Sequence, residues 1–96
     1  MTRDEIIARI RETAPALRAK GVTRLAIFGS RARNDAREDS DLDVLIDVDT
    51  SFAGLDLVRV QDMIKEATGL ETQAAMRRSI ETRFAHRIAD DVIQVF

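Results

Sequence analysis

Ile27-Phe28-Gly29-Ser30 and Asp41-Leu42-Asp43-Val44 are separated by ten residues, and these two short stretches hold the residue types best suited to chemistry in this chain. A glycine directly after an apolar run lets backbone N–H groups come close to an anion, and a neighbouring serine adds a hydroxyl donor, so Gly29-Ser30 suits a phosphate. Asp41 and Asp43 lie two residues apart, so on a strand their carboxylates share one face. Such a pair can hold divalent cations that bridge phosphate oxygens and activate an attacking oxygen. Together the two stretches describe phosphoryl or nucleotidyl transfer. Taken singly each is weak, because Gly-Ser commonly ends strands and an exposed Asp-x-Asp is commonly solvated. What ties them to a cation is the density of acids: Asp39, Asp41, Asp43 and Asp47 repel one another, and a bound cation relieves that cost.

The elements that must position these residues follow from periodicity. Thr2 and Glu5 have capping-box spacing and Ile6, Ile10, Ala14 and Leu17 recur at helical intervals, which predicts a helix over 3–19, kinked or divided at Pro15 and closed by Gly21. Val22–Phe28 is short, apolar and β-branched enough for a buried strand that delivers Gly29-Ser30. Residues 31–40 form a loop or a short helix. From Asp41 to Asp49 the alternation is clean: Leu42, Val44, Ile46 and Val48 face one way, and Asp41, Asp43, Leu45, Asp47 and Asp49 the other. Leu57, Val60, Ile64 and Ala67 predict a second helix, stopped by Gly69. Residues 70–76 read as a third strand in spite of poor strand formers. Ile80, Phe84 and Ile88 predict a last helix with Phe84 in the core, and Val92–Phe96 a short terminal strand. The expected class is α/β (α+β): a small mixed β-sheet flanked by helices, as one domain over 1–96.

Composition narrows the function. The chain has 96 residues, 45% hydrophobic and 33% charged, with no cysteine, so neither a disulfide framework nor a thiolate metal site can form. Residues 1–12 are charged from Arg3 onward with no apolar run, and no stretch approaches the ~18 apolar residues of a membrane span, so a cytoplasmic protein off the membrane is expected. A net charge of −2 argues against direct, non-specific nucleic-acid binding. Residues 31–50 hold three arginines against seven acids and suit cations, whereas Arg77, Arg78, Arg83 and Arg87 face Glu81 alone and suit an acidic partner or, more plainly, water. His86 reads as solvated. An edge strand in so small a sheet leaves room for an oligomer.

Gly29-Ser30-Arg31-Ala32-Arg33 followed by Asp39-Ser40-Asp41-Leu42-Asp43-Val44 resembles the signature of the minimal nucleotidyltransferases (MNT) of the DNA polymerase β superfamily, in particular the antitoxins paired with HEPN-domain toxins. The resemblance extends to Leu57-Val-Arg-Val-Gln61 and to Val92–Phe96. It implies a polymerase-β-like nucleotidyltransferase fold, with Gly29 and Ser30 cradling the triphosphate of ATP, Asp41 and Asp43 holding Mg²⁺ at the catalytic centre, and AMP passing to a hydroxyl of a partner HEPN toxin, a tyrosine in the resembling antitoxins. Arg31 and Arg33 either contact phosphates or pair with Asp35, Glu38 or Asp39.

In the resembling active proteins a third acid on the next strand completes the metal site. Here Gln73 stands at that position. Glutamine offers a carbonyl oxygen but neither charge nor basicity. Glu71, two residues earlier, is the substitute on the same strand face if 70–76 is extended. Asn34 stands where the family has glycine, and Asn accommodates a left-handed backbone. Two readings therefore stay open: a protein adenylyltransferase, or a catalytically degenerate antitoxin that neutralises its toxin by binding. Transfer to a small molecule ranks last, for want of a substrate domain.

Overall fold

The computed structural model describes residues 1–79 and 91–96; the helix expected around Ile80, Phe84 and Ile88, with Arg83, His86 and Arg87, lies outside them. Helix α1 covers Arg3–Ala19, entered through the Thr2–Glu5 capping box. It runs undivided through Pro15, contrary to one expectation from sequence. Pro15 sits on the exposed side, so the backbone carbonyl it deprives of a partner is on the side of the helix open to water. Strand β1 is Val22–Phe28, α2 is the single turn Gly29–Arg33, β2 is Leu42–Val48, α3 is Gly54–Thr68, β3 is Thr72–Met76, a 3₁₀ turn covers Arg77–Ser79, and β4 is Ile93–Gln94.

The sheet order is β3-β2-β1-β4. β1 runs antiparallel to both β2 and β4, and β2 runs parallel to β3. A parallel neighbour requires a crossover connection, which α3 supplies. The result is the small mixed sheet flanked by helices that the sequence leads one to expect.

The core lies between the sheet and the α1/α3 pair. Ile6, Ile10 and Leu17 of α1, Val60 and Ile64 of α3, and Leu25, Ile27, Leu42, Val44 and Ile46 of the central strands are fully buried there. Burying each such side chain contributes roughly 1.5–3 kcal/mol, which is what fixes which face of β2 turns inward. The α3 stripe ends on Thr68 and not on Ala67, which is only half-buried. The Thr68 hydroxyl donates to the Ile64 carbonyl at 2.8 Å, so a polar side chain one turn beyond Ile64 is buried with its hydrogen bond made. β3 forms in spite of its composition because Thr72, Ala74 and Met76 share the helix-facing side with Leu42, Val44 and Ile46, with which they pair. Packing and pairing override propensity there.

Candidate functional site

The turn after β1 brings the two motif stretches together. Phe28 pairs with Asp43 across the antiparallel ladder, so Gly29 emerges beside the Asp43 carboxylate. Gly29 has φ of 73°, and a Cβ placed on it would meet Asp43 Oδ2 at 2.8 Å. Any side chain here would both strain the backbone and displace the carboxylate. Ser30 follows in the first turn of α2, half-buried. The turn closes on Asn34, whose φ of 64° is left-handed, with the Asn34 and Asp35 N–H groups donating to the Ser30 carbonyl; Asn adopts that conformation more readily than most residues.

Asp41 is exposed just ahead of β2, while Asp43 is half-buried on the sheet face opposite the helices. Burial first, and then the negative charge of Asp41, pushes the Asp43 carboxyl above its ordinary range. Other acids of the run are matched: Asp35 with Arg33 at 3.1 Å, Asp47 with Arg77 at 3.2 Å, and Asp49 with the Ser51 amide and hydroxyl. Among the described residues no arginine or lysine lies within ion-pair distance of Asp39, Asp41 or Asp43. Uncompensated carboxylate oxygens beside an open turn are a donor set that fits a hard divalent cation such as Mg²⁺, which is typically held by one or two carboxylates together with substrate phosphates. Among the described residues no group of three or more acids or histidines converges to form a cage around an ion.

In the parallel register Gln73 of β3 stands directly beside Asp43, the position at which the sequence resemblance leads one to expect a third acid, and its carboxamide brings no charge. Glu71 lies just ahead of that strand and is paired with a lysine. β3 begins at Thr72, the Glu71 carbonyl accepts from the Leu42 N–H, and the Glu71 carboxylate lies 2.6 Å from Lys65 Nζ on α3. That pairing raises the Lys65 ammonium pKa and turns the Glu71 charge toward the helix. Glu71 still lines, with Glu38, Asp39 and Asp41, a cleft of about 190 Å³ beside the site.

Arg31 is held by backbone carbonyls. It is 6% exposed, and its Nη2 donates to the backbone carbonyls of Glu38 at 3.2 Å and Ser40 at 2.9 Å, leaving little surface for a phosphate and pairing with no carboxylate among the described residues. Arg33 pairs with Asp35 and also with Asp91, at 3.3 Å, and stays half-exposed. Sequence reasoning missed the Arg31 contacts, the Asp47–Arg77 pair and the Gln61 side chain that meets β3 at Ala74; each joins segments 7 to 30 residues apart or more finely depends on chain folding, so none leaves a local pattern.

A strand ending in a left-handed glycine against a carboxylate on the adjoining strand, within a β3-β2-β1-β4 mixed sheet, defines a nucleotidyltransferase class of domain. Residues 8–95 match the model of the nucleotidyltransferase domain family, and the chain belongs to that family. It is 28% identical over 96 residues to the protein adenylyltransferase MntA of Thermococcus cleftensis, covering 99% of this chain and 97% of that one. A chain of Methanocaldococcus jannaschii, provisionally named as a protein adenylyltransferase, is 36% identical over 85 residues, covering 88% of this chain and 91% of its own length. A solved structure provisionally assigned as a minimal nucleotidyltransferase superposes with a TM-score of 0.83 at 28% identity, over 97% of this chain and 95% of that one. A chain from the complex of tri-AMPylated Shewanella oneidensis HEPN toxin with its MNT antitoxin shares the fold, with a TM-score of 0.71 at 13% identity over 99% of this chain and 72% of that one.

Proposed function

We propose that this chain is a protein adenylyltransferase of the antitoxin type, transferring AMP from ATP to a hydroxyl, a tyrosine, of a partner HEPN-domain toxin in the cytoplasm. The observation that carries the reading is the close approach of Gly29 to Asp43, which sets the turn after β1 beside two carboxylates that have no ion-pair partner among the described residues. Names and complexes among the relatives point the same way. Backbone N–H groups of Gly29 and Ser30 and the Ser30 hydroxyl orient the triphosphate, and Asp41 and Asp43 would hold Mg²⁺, which when bound neutralises charge developing on the phosphate oxygens. The acceptor oxygen attacks the α-phosphorus in line, the new P–O bond forms as the bond to the bridging oxygen breaks, and pyrophosphate leaves. Gln73 cannot take the hydroxyl proton, which leaves to a carboxylate of the site or to water.

Gln73 in register with Asp43 supports a second reading, a degenerate antitoxin that binds its toxin without modifying it. Intact-mass spectrometry of the toxin complex with ATP and Mg²⁺ separates the two. A gain of one or more AMP masses that is lost with Asp41→Ala establishes transfer; a tightly bound, unmodified partner establishes the binder. Gln73→Asp is expected to raise or create transfer without altering toxin binding, and loss of an existing transfer activity with Glu71→Gln would assign Glu71 the part that Gln73 cannot play.

A further inference from the structure

The placement of Arg31 calls for an account that phosphate binding does not supply. A guanidinium is costly to bury, and that of Arg31 has no ion-pair partner among the described residues while its Nε is buried without a hydrogen bond. What Arg31 reaches is specific. From α2, one residue after Ser30, its Nη2 bridges the carbonyls of Glu38 and Ser40, the latter immediately ahead of Asp41. The same loop is closed by the Ser40 amide donating to the Arg37 carbonyl and the Arg37 amide to the Ser40 hydroxyl.

We infer that Arg31 is a positioning residue: its Nη2 fixes the carbonyls of Glu38 and Ser40 to α2 and so sets Asp41 at a fixed place relative to Asp43 and Gly29-Ser30. The inference rests on the proposed function, since it assigns the metal to Asp41 and Asp43. One short helix then places both halves of the site, the phosphate turn through its first residues and the exposed carboxylate through Arg31. Asp43 has no need of such a device, because the β1–β2 ladder holds it. Asp41 lies outside the ladder. Both bonds leave from the one Nη2, whose two N–H groups lie in the fixed plane of the guanidinium, whereas a lysine ammonium turns freely on a shorter stem and does not preset their directions.

The test uses Mn²⁺ alone as probe, read by electron paramagnetic resonance, on wild type, Arg31→Lys and Arg31→Ala, with thermal melts to show that each is folded. Arg31→Lys is expected to weaken Mn²⁺ binding about 10–100-fold, the scale seen when a group supporting a ligand is removed, while ATP affinity at saturating Mn²⁺ stays within about twofold. A purely structural residue would lower the melting temperature and leave Mn²⁺ affinity of the folded protein unchanged, which overturns the inference. Weakened ATP binding with unchanged Mn²⁺ affinity also overturns it, making Arg31 a phosphate ligand. Failure of the wild type to bind Mn²⁺ overturns the metal reading and this inference with it. If neither variant folds, amide exchange in the wild type decides: the Ser40 amide is expected to be protected well beyond a free chain, and exchange at the free-chain rate would refute a held loop.

Discussion

At Gly29 one missing side chain does two jobs, since the left-handed backbone and the approach of Asp43 both exclude a Cβ. Gly29→Ala is expected to cost about 1–2 kcal/mol from backbone strain alone and to lower transfer about 100-fold by shifting the carboxylate, checked by urea unfolding and by initial rates of toxin AMPylation. Asp43 gives a pH signature. Its carboxyl pKa is raised in the fold above the ordinary value of 3.8, by burial and by Asp41. The folded protein therefore holds that proton more tightly than the unfolded chain, and the contribution is intact below the ordinary value and lost as pH rises through the raised one. In metal-free protein Asp43→Asn is expected to melt higher than wild type at neutral pH and to lose that advantage toward pH 3.8. Melting curves across pH check it, and the gain comes with loss of transfer, as stabilised active sites commonly show.

At the scale of elements, β3 is both the weakest strand by composition and the one that presents Gln73. As an edge strand it carries N–H groups that β2 does not meet, and the Ala74 amide donates to the Gln61 side chain of α3 at 2.9 Å. That bond ties the crossover helix to the strand it delivers and blunts an edge that would otherwise invite pairing with another chain. Gln61→Ala is expected to destabilise the protein by about 0.5–1.5 kcal/mol and to speed exchange of the Ala74 amide ahead of β1 and β2. β4 is held by longer reach: Arg11 Nε donates to the Val95 carbonyl at 3.0 Å and the Arg18 guanidinium lies 4.9 Å from the centre of the Phe96 ring, so the C-terminal residues are fastened to α1 from both sides of the chain.

For the molecule as a whole, stability concentrates in one layer between the sheet and the α1/α3 pair. Ile46, fully buried on the central strand, is expected to cost roughly 2–5 kcal/mol on change to alanine, a large share of the ~5–15 kcal/mol available to a domain. Leu55, 74% exposed at the start of α3, is expected to shift stability by no more than about 0.5 kcal/mol under the same change. Chemical denaturation of both variants checks the contrast. The opposite face of the sheet carries a smaller apolar cluster, Ala26, Phe28 and Leu45 with Ala75 and Val92 against it, and beside it the polar side chains of Asp43, Gln73 and Asp47.

By itself the sequence marked most of the described elements and brought forward the residues of the candidate site. The capping box and the Ile6, Ile10, Ala14, Leu17 stripe marked α1, the alternation through Leu42–Val48 marked β2, and Gly29-Ser30 with Asp41 and Asp43 marked the chemistry, because each of these rests on spacing within a few residues. The tertiary structure decided what depends on partners distant in the chain. Register set Gln73 against Asp43, the α3 surface drew Glu71 to Lys65, and burial brought Arg31 onto the carbonyls of Glu38 and Ser40. A side chain's role follows from what the fold brings within 3–4 Å of it, and no local pattern in a sequence records that.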